Sequence, residues 1–547
     1  MKKEKEDTLS KEKLQAEIER LKKELKKRKK YGLVWEEKPE EVVEICKEKL
    51  PILKEVKSKE IITDPDKPVN LLIEGDNYHA LSVLNYTHAK KVDIIYIDPP
   101  YNTGNKDFIF NDHYVDKEDS YRHSKWLSFM EKRLRLARSL LRDTGVIFIS
   151  IDDNELSQLK SMMDDIYGEN NFIQVLVWHN KYTVSNDAKF FSGQHEYVLA
   201  YARDINKTII NLLPRTEEAN KRYSNPDNDP RDNWKPTPLH AKSGTEEGIY
   251  EFVFRNGLKW SPPKGTFPRF SRETLKELDQ DNRIWFGKSG KSIPSRKTFL
   301  SEVKQGLKCG SLLHYGMFGH THKANEELAN TLGKGKFNNP KPSDLILNLI
   351  KLSERSNESI VLDFFAGSGT TAQAVLRLNS DDNGERQVVL CTDNENNICS
   401  EVCYPRVQKI MRGYKNSKGN IINGLGGNLK YFKTDSVDAE PTDKNKKKLT
   451  EQATEMLCVR EGTFETVLEK KKFKIYKNNS HYTGIIFDQL AISDFKKAIK
   501  DIKGKFSVYV FSLGDDTFDE EFEDAKQKVK LSPIPEAILR VYRRIFK

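Results

Sequence analysis

The chain has 547 residues, enough for about three domains of ordinary size, with 92 Lys+Arg against 82 Asp+Glu and a formal net charge of +10. No apolar run reaches the roughly 18 residues of a membrane span, no signal peptide is evident, and six cysteines (Cys46, Cys309, Cys391, Cys399, Cys403, Cys458) have no partners at zinc-like spacing. Membrane proteins, secreted disulfide scaffolds and zinc modules are set aside; a reduced, cytoplasmic, multidomain enzyme holding no metal is expected, its positive charge favouring a polyanionic partner.

Residues 1–31 are rich in Lys and Glu, and Leu14, Ile18, Leu21 and Leu25 form a stripe on one helix face. The expectation is an N-terminal helical segment over 1–60 that packs on its own chain or pairs with a second copy. From 61 to 204 short apolar strands alternate with helical stretches. Val69 to Ile73 ends in Glu74-Gly75-Asp76, Val92 to Ile97 ends in Asp98, and Gly145 to Ile151 is followed by candidates at Phe172–Trp178 and Glu196–Tyr201. This alternation predicts a parallel α/β sheet covered on both faces.

The pattern breaks over 205–335, which is rich in Pro, Gly, Asn and cations with scattered aromatics (Trp234, Trp260, Phe267, Phe270, Trp285, Phe286) and reads as an insertion. Within it, Gly287-Lys288-Ser289-Gly290-Lys291-Ser292 ends like a phosphate-binding loop, but Trp285 stands where the pattern needs its first glycine and no strand immediately precedes it. ATP hydrolysis by this chain is not expected. The α/β pattern resumes over 336–440, and residues 441–547 read as a small α+β segment.

Two strand ends carry chemistry. Asp98-Pro99-Pro100-Tyr101 follows Val92–Ile97 directly, at the carboxyl edge where open α/β sheets bind ligands. An exocyclic amine conjugated to a base is a poor nucleophile. If Asp98 and the Pro99 carbonyl each accept one of its N–H groups, the lone pair is freed to attack an activated methyl, and Tyr101 offers a face for an extruded base. Pro100 supplies no competing donor.

Downstream, Ile360–Leu362 runs into Asp363-Phe364-Phe365-Ala366-Gly367-Ser368-Gly369-Thr370, a strand, a Gly-rich turn and the start of a helix. The turn also satisfies a dinucleotide-binding pattern, leaving a nicotinamide or flavin site open. An acid before the glycines suits the ammonium of a methionine moiety better than a pyrophosphate. Asp393, after Gln387–Cys391, is placed to accept from ribose hydroxyls, with Glu395 in reserve.

With the catalytic motif ahead of the glycine motif, the sequence resembles the permuted β group of amino-methylating DNA methyltransferases. Across most of 69–435 it is similar to the modification subunits of type III restriction systems. The resemblance rests on Asp98 to Gly104, Phe148 to Glu155, His195-Glu196-Tyr197, Asn339-Pro340-Lys341-Pro342 and Asp363 to Thr371. It implies a seven-stranded Rossmann-like methyltransferase sheet, circularly permuted, with an inserted target-recognition domain over 205–335 and a small α+β C-terminal domain. It also implies S-adenosylmethionine as cofactor, Asp76 reaching its adenine, Lys341 and Pro342 bordering its pocket, and Tyr197 as a second face of the base pocket. The expected activity is methylation of adenine N6 in double-stranded DNA. The resemblance further implies a helicase-nuclease restriction partner and homodimerisation. The alternatives are a cytosine-N4 methyltransferase and a DNA-recognition subunit whose main role is to recruit the nuclease.

Overall fold

A computed structural model describes residues 35–546. The leucine stripe at 14–25 lies outside the described residues. Two compact units are present, one comprising the chain up to Ile210 and from Gly310 onward, the other Asn211–Cys309.

The first unit is organised by a ten-stranded sheet. In chain order its strands are β1 (Lys49–Glu55), β2 (Val69–Glu74), β3 (Val92–Ile97), β4 (Leu141–Ile151), β5 (Phe172–His179), β6 (His195–Ala202), β7 (Leu312–Leu313), β8 (Ile360–Asp363), β9 (Gln387–Thr392) and β10 (Asn428–Asp438). Their spatial order is β1-β10-β2-β9-β8-β3-β4-β6-β5-β7. From β10 through β4 all neighbours are parallel, whereas β6 runs antiparallel to both β4 and β5. Parallel strands buried on both faces must be almost wholly apolar, and β3, β8 and β9 are.

The seven strands implied by the resemblance form the middle of this sheet, with β8, β9, β2 and β3 in the order 2-9-8-3. Three further strands extend it. β10 adds a parallel edge beside β2, β1 closes that edge antiparallel to β10, and β7 lies parallel to β5. The 1–60 segment is therefore not helical throughout. Leu50, Pro51, Ile52 and Leu53 are buried in succession, a burial that a sheet covered on both faces allows and one side of a surface helix does not.

Helices α1 (Asn77–Thr87), α2 (Arg122–Leu140), α3 (Ser343–Ser353), α4 (Thr370–Asp382) and α5 (Tyr404–Arg412) contribute to the covering layers. α2 buries Trp126, Met130, Arg133, Leu134 and Ala137, spaced three and four apart as one helix face requires. The segment after 441 carries its own five-stranded sheet, but Leu449, Met456, Tyr509, Ile534 and Ile538 join the same apolar core as Ile95, Ile147 and Leu362.

The second unit has a three-stranded antiparallel sheet joining Ile284–Trp285, Ser295–Phe299 and Trp234–Pro238. It is narrower than 205–335, because the segment from Gly310 onward, including β7, belongs with the large sheet. Trp234 and Trp260 are 1% and 5% exposed, so these two aromatics build the unit's interior and are not free to meet bases. Gly287 to Ser292 forms a hairpin loop in which Gly290 N–H donates to the Gly287 carbonyl and Ser292 N–H to that of Phe286; no helix follows it.

Candidate active site

β3 and β8 are adjacent and in register, with Ile94 opposite Val361 and Ile95 opposite Leu362. Asp98 and Asp363 thus leave the sheet at the same carboxyl edge, and the charge of Asp98 is felt at Asp363.

Asp98 retains 27% of its side-chain surface, an opening through which a substrate group can reach it. Both its oxygens accept from Lys341 Nζ, at 2.8 and 2.9 Å. Tyr101 Oη lies 3.0 Å from Asp98 Oδ1 and 3.0 Å from Glu196 Oε2, and accepts from Lys341 at 2.8 Å. Burial raises the Asp98 carboxyl above its ordinary range, while Lys341 pulls it down. The motif's backbone is held from below: Trp126 Nε1 donates to the Pro100 carbonyl at 2.7 Å, whereas no donor among the described residues meets the Pro99 carbonyl. Asn102 adopts φ +57° and donates to the buried Glu155 at 2.6 Å, pinning the exit of the turn.

Asp363 is 3% exposed, and its two oxygens accept from Phe365 N–H (3.0 Å) and Thr371 Oγ1 (2.5 Å). Burial pushes this carboxyl up to about 7, and the influences that oppose burial are these two neutral donors. A cationic ligand group at Asp363 would restore its ionisation, so the site fits an ammonium. Gly367 (φ +47°) and Gly369 (φ +76°) give the turn its left-handed backbone; a Cβ at Gly367 would come within 3.1 Å of Phe337 and one at Gly369 within 3.2 Å of Cys403 Sγ. The buried Arg406 secures the turn through the Ser368 carbonyl (3.2 Å), Ser368 Oγ (2.9 Å) and Thr370 Oγ1 (2.8 Å). Phe365 packs against Phe129 with ring centroids 5.9 Å apart, and Ala366 is buried.

The other expected residues are placed unevenly. Asp76 caps α1 by accepting from Tyr78 N–H at 2.6 Å and pairs with Arg133 at 3.3 Å, so its carboxylate is already engaged. Asp393, beyond β9, accepts from Glu395 N–H at 3.1 Å; partial desolvation and then the charge of Asp76 raise its carboxyl, putting both acids at one rim. Pro342 precedes α3 and is buried. Lys341 reaches the catalytic carboxylate directly, a contact that the expectation of a cofactor-pocket border did not include. Tyr197 is not brought to Asp98. It follows Glu196 on β6, and successive strand residues face opposite sides; its hydroxyl donates to Asp153 at 2.8 Å.

Glu196, Asn180, Glu155, Asn77 and Arg406 were not singled out from the sequence. Asn180 donates to Glu196 at 2.7 Å and Asn77 to the Phe364 carbonyl at 3.0 Å. A signal existed for Glu196 and Glu155, which stand inside the quoted stretches. None existed for Arg406, whose contact with Ser368 spans 38 positions.

Two loops from adjacent parallel strands, one presenting a carboxylate and a tyrosine and the other a glycine turn beside a buried acid, define a Rossmann-like α/β protein with both motifs at one edge of its sheet. The profile of the family described as DNA methylase matches residues 92–403, and the chain belongs to that family. It is 37% identical over 374 residues to the type III restriction-modification enzyme StyLTI Mod subunit of Salmonella typhimurium, covering 63% of this chain and 56% of that one. It is 32% identical over 371 residues to the EcoP15I Mod subunit of Escherichia coli, covering 57% and 56%. It is also 31% identical over 398 residues to the type II methyltransferase M.KpnI of Klebsiella pneumoniae, covering 66% and 90%. The match thus spans little more than half the length of these type III subunits. No helix among the described residues is long and apolar enough to cross a membrane, and no cluster of metal-ligating side chains occurs among them.

Proposed function

We propose that the protein is an S-adenosylmethionine-dependent DNA methyltransferase acting on the N6 amino group of adenine in double-stranded DNA. The observation that carries the reading is the placement of Asp98 and Asp363 at the carboxyl ends of neighbouring strands β3 and β8. Asp98 accepts one hydrogen of the target amine and the unclaimed Pro99 carbonyl the other, drawing the nitrogen lone pair out of conjugation. Tyr101 stacks on the everted base. Asp363 binds the cofactor's ammonium, the backbone of Gly367 to Gly369 admits the methionine moiety, and Asp393 accepts from the ribose. When bound, S-adenosylmethionine supplies a methyl group already activated on a sulfonium. The chain's own task is to orient the amine for in-line attack.

The identities to type III Mod subunits support a modification role with a helicase-nuclease partner and a second copy of the chain. We read the unit Asn211–Cys309, which lies within the 205–335 insertion, as the target-recognition domain. Single-molecule sequencing of DNA from cells expressing the protein, with mass analysis of its nucleosides, tests the reading. The expected result is N6-methyladenine at one sequence motif. N4-methylcytosine would replace the substrate assignment, and unmodified DNA would refute the activity.

A further inference from the structure

Lys341 is a buried cation facing two carboxylates. Its side chain is 8% exposed, its Nζ lies 4.9 Å from the Tyr101 ring centroid and 5.9 Å from that of Trp178, and its three protons meet four acceptors. Those are both Asp98 oxygens, Tyr101 Oη and, at 3.3 Å, Glu196 Oε2. Glu196 is itself fixed by Asn180, whose backbone is tied on both sides, N–H to the Gln194 carbonyl and carbonyl to Thr321 N–H, each at 3.0 Å.

The charge balance around Asp98 makes this cation necessary. Facing the carboxylate are Lys341, Tyr101 and Glu196, with Tyr96 from β3 and Asp363 from β8 behind them. Of these only Lys341 is positive; burial and Glu196 both favour a protonated Asp98. Protonation would reverse the chemistry. A neutral carboxyl in this place can turn its hydrogen toward the amine nitrogen and engage the very lone pair that must attack the methyl group.

We propose that Lys341 is a positioning residue for catalysis: tethered by Glu196, it keeps Asp98 ionised while the target amine is bound, so that Asp98 accepts from the amine and never donates to it. The proposal rests on the reading of Asp98 as the amine acceptor. Glu196 has two opposed influences, anchoring the cation but repelling the Asp98 charge, so removing its charge and removing the lysine's should displace Asp98 titration in opposite directions.

The test compares the full-length protein with Lys341→Met and Glu196→Gln. The Asp98 carboxyl is titrated by carbon-13 NMR on aspartate-labelled protein, its signal assigned by its loss in Asp98→Asn. In parallel, transfer of tritiated methyl groups to DNA from a host lacking adenine methylation is followed from pH 6 to 9.5. Lys341→Met is expected to raise the Asp98 midpoint by at least one pH unit, to cut transfer most at pH 6 and to recover it to within threefold of the parent by pH 9.5. Glu196→Gln is expected to lower the midpoint. An Asp98 midpoint unchanged in Lys341→Met, a loss of transfer equal at every pH, or midpoints displaced in the same direction would overturn the proposal. Absence of transfer by the unsubstituted protein would count against the methyltransferase reading alone, because the titration is read without turnover. Calorimetry with S-adenosylmethionine, expected to show affinity within threefold of the parent, confirms that the variants are folded.

Discussion

Arg406 on α5 donates to the backbone carbonyl of Ser368 at 3.2 Å and to its hydroxyl at 2.9 Å, clasping the glycine turn. Its fork also holds Thr370 and Gln373, and its guanidinium is fully buried, where desolvation lowers it to about 10. Replacing it by Lys keeps a charge but loses the planar fork that serves several acceptors at once. Arg406→Lys should weaken S-adenosylmethionine binding about tenfold in calorimetry and lower stability by ~2 kcal/mol in urea, since buried acceptors lose their donors.

Removing the catalytic carboxylate separates chemistry from cofactor binding. Asp98→Ala should lower methyl transfer by at least a thousandfold while S-adenosylmethionine affinity stays within about threefold, because Asp363 and the glycine turn are untouched. Such losses correspond to ~4 kcal/mol of transition-state stabilisation. Near-normal turnover in this variant would rule out Asp98 as the group that orients the amine.

Glu155 makes stability sensitive to pH. It is completely buried between Asn102 and His123, and desolvation pushes its carboxyl up to about 8 from an ordinary 4.5. Because the folded state holds this proton more tightly than the unfolded one, stability falls as pH rises through the interval from 4.5 to about 8 and levels off above it. Glu155→Gln keeps an acceptor for Asn102 and cannot ionise. It should therefore resist urea better than the parent at pH 9, by on the order of 2 kcal/mol, with the difference vanishing near pH 5. A gap independent of pH would show that Glu155 is not the titrating group.

Gly369 provides a second test of the cofactor loop. At φ +76° an alanine is strained, and its Cβ would press on Cys403 Sγ at 3.2 Å and Val407 at 3.4 Å. Gly369→Ala should cost ~1–2 kcal/mol of stability and weaken cofactor binding at least tenfold, measured by calorimetry, because the turn and the start of α4 must move together.

Much of the fold and part of the site were legible in the residues themselves. Runs such as Val92–Ile97 and Gln387–Cys391 are apolar on both faces, which only a covered parallel sheet tolerates, and Asp98-Pro99-Pro100-Tyr101 and Asp363 to Thr370 announce themselves because a loop's chemistry and backbone demands are local. What local pattern could not supply was the third dimension of those loops. The alternation that turns Glu196 into the site and Tyr197 away from it depends on the register in which β6 pairs with β4 and β5. The engagement of Asp76 by Arg133, the burial of Trp234 and the clasp of Arg406 each join residues that nothing in their own neighbourhoods pairs. Above all, Lys341 meets Asp98 across 243 positions of chain. Strand identity and turn geometry are decided by short-range sterics and hydrophobic pattern, and those are written in sequence order. Which charges share one buried space is decided only when distant segments pack, because the cost of desolvating a charge exists only once the packing that excludes water is in place.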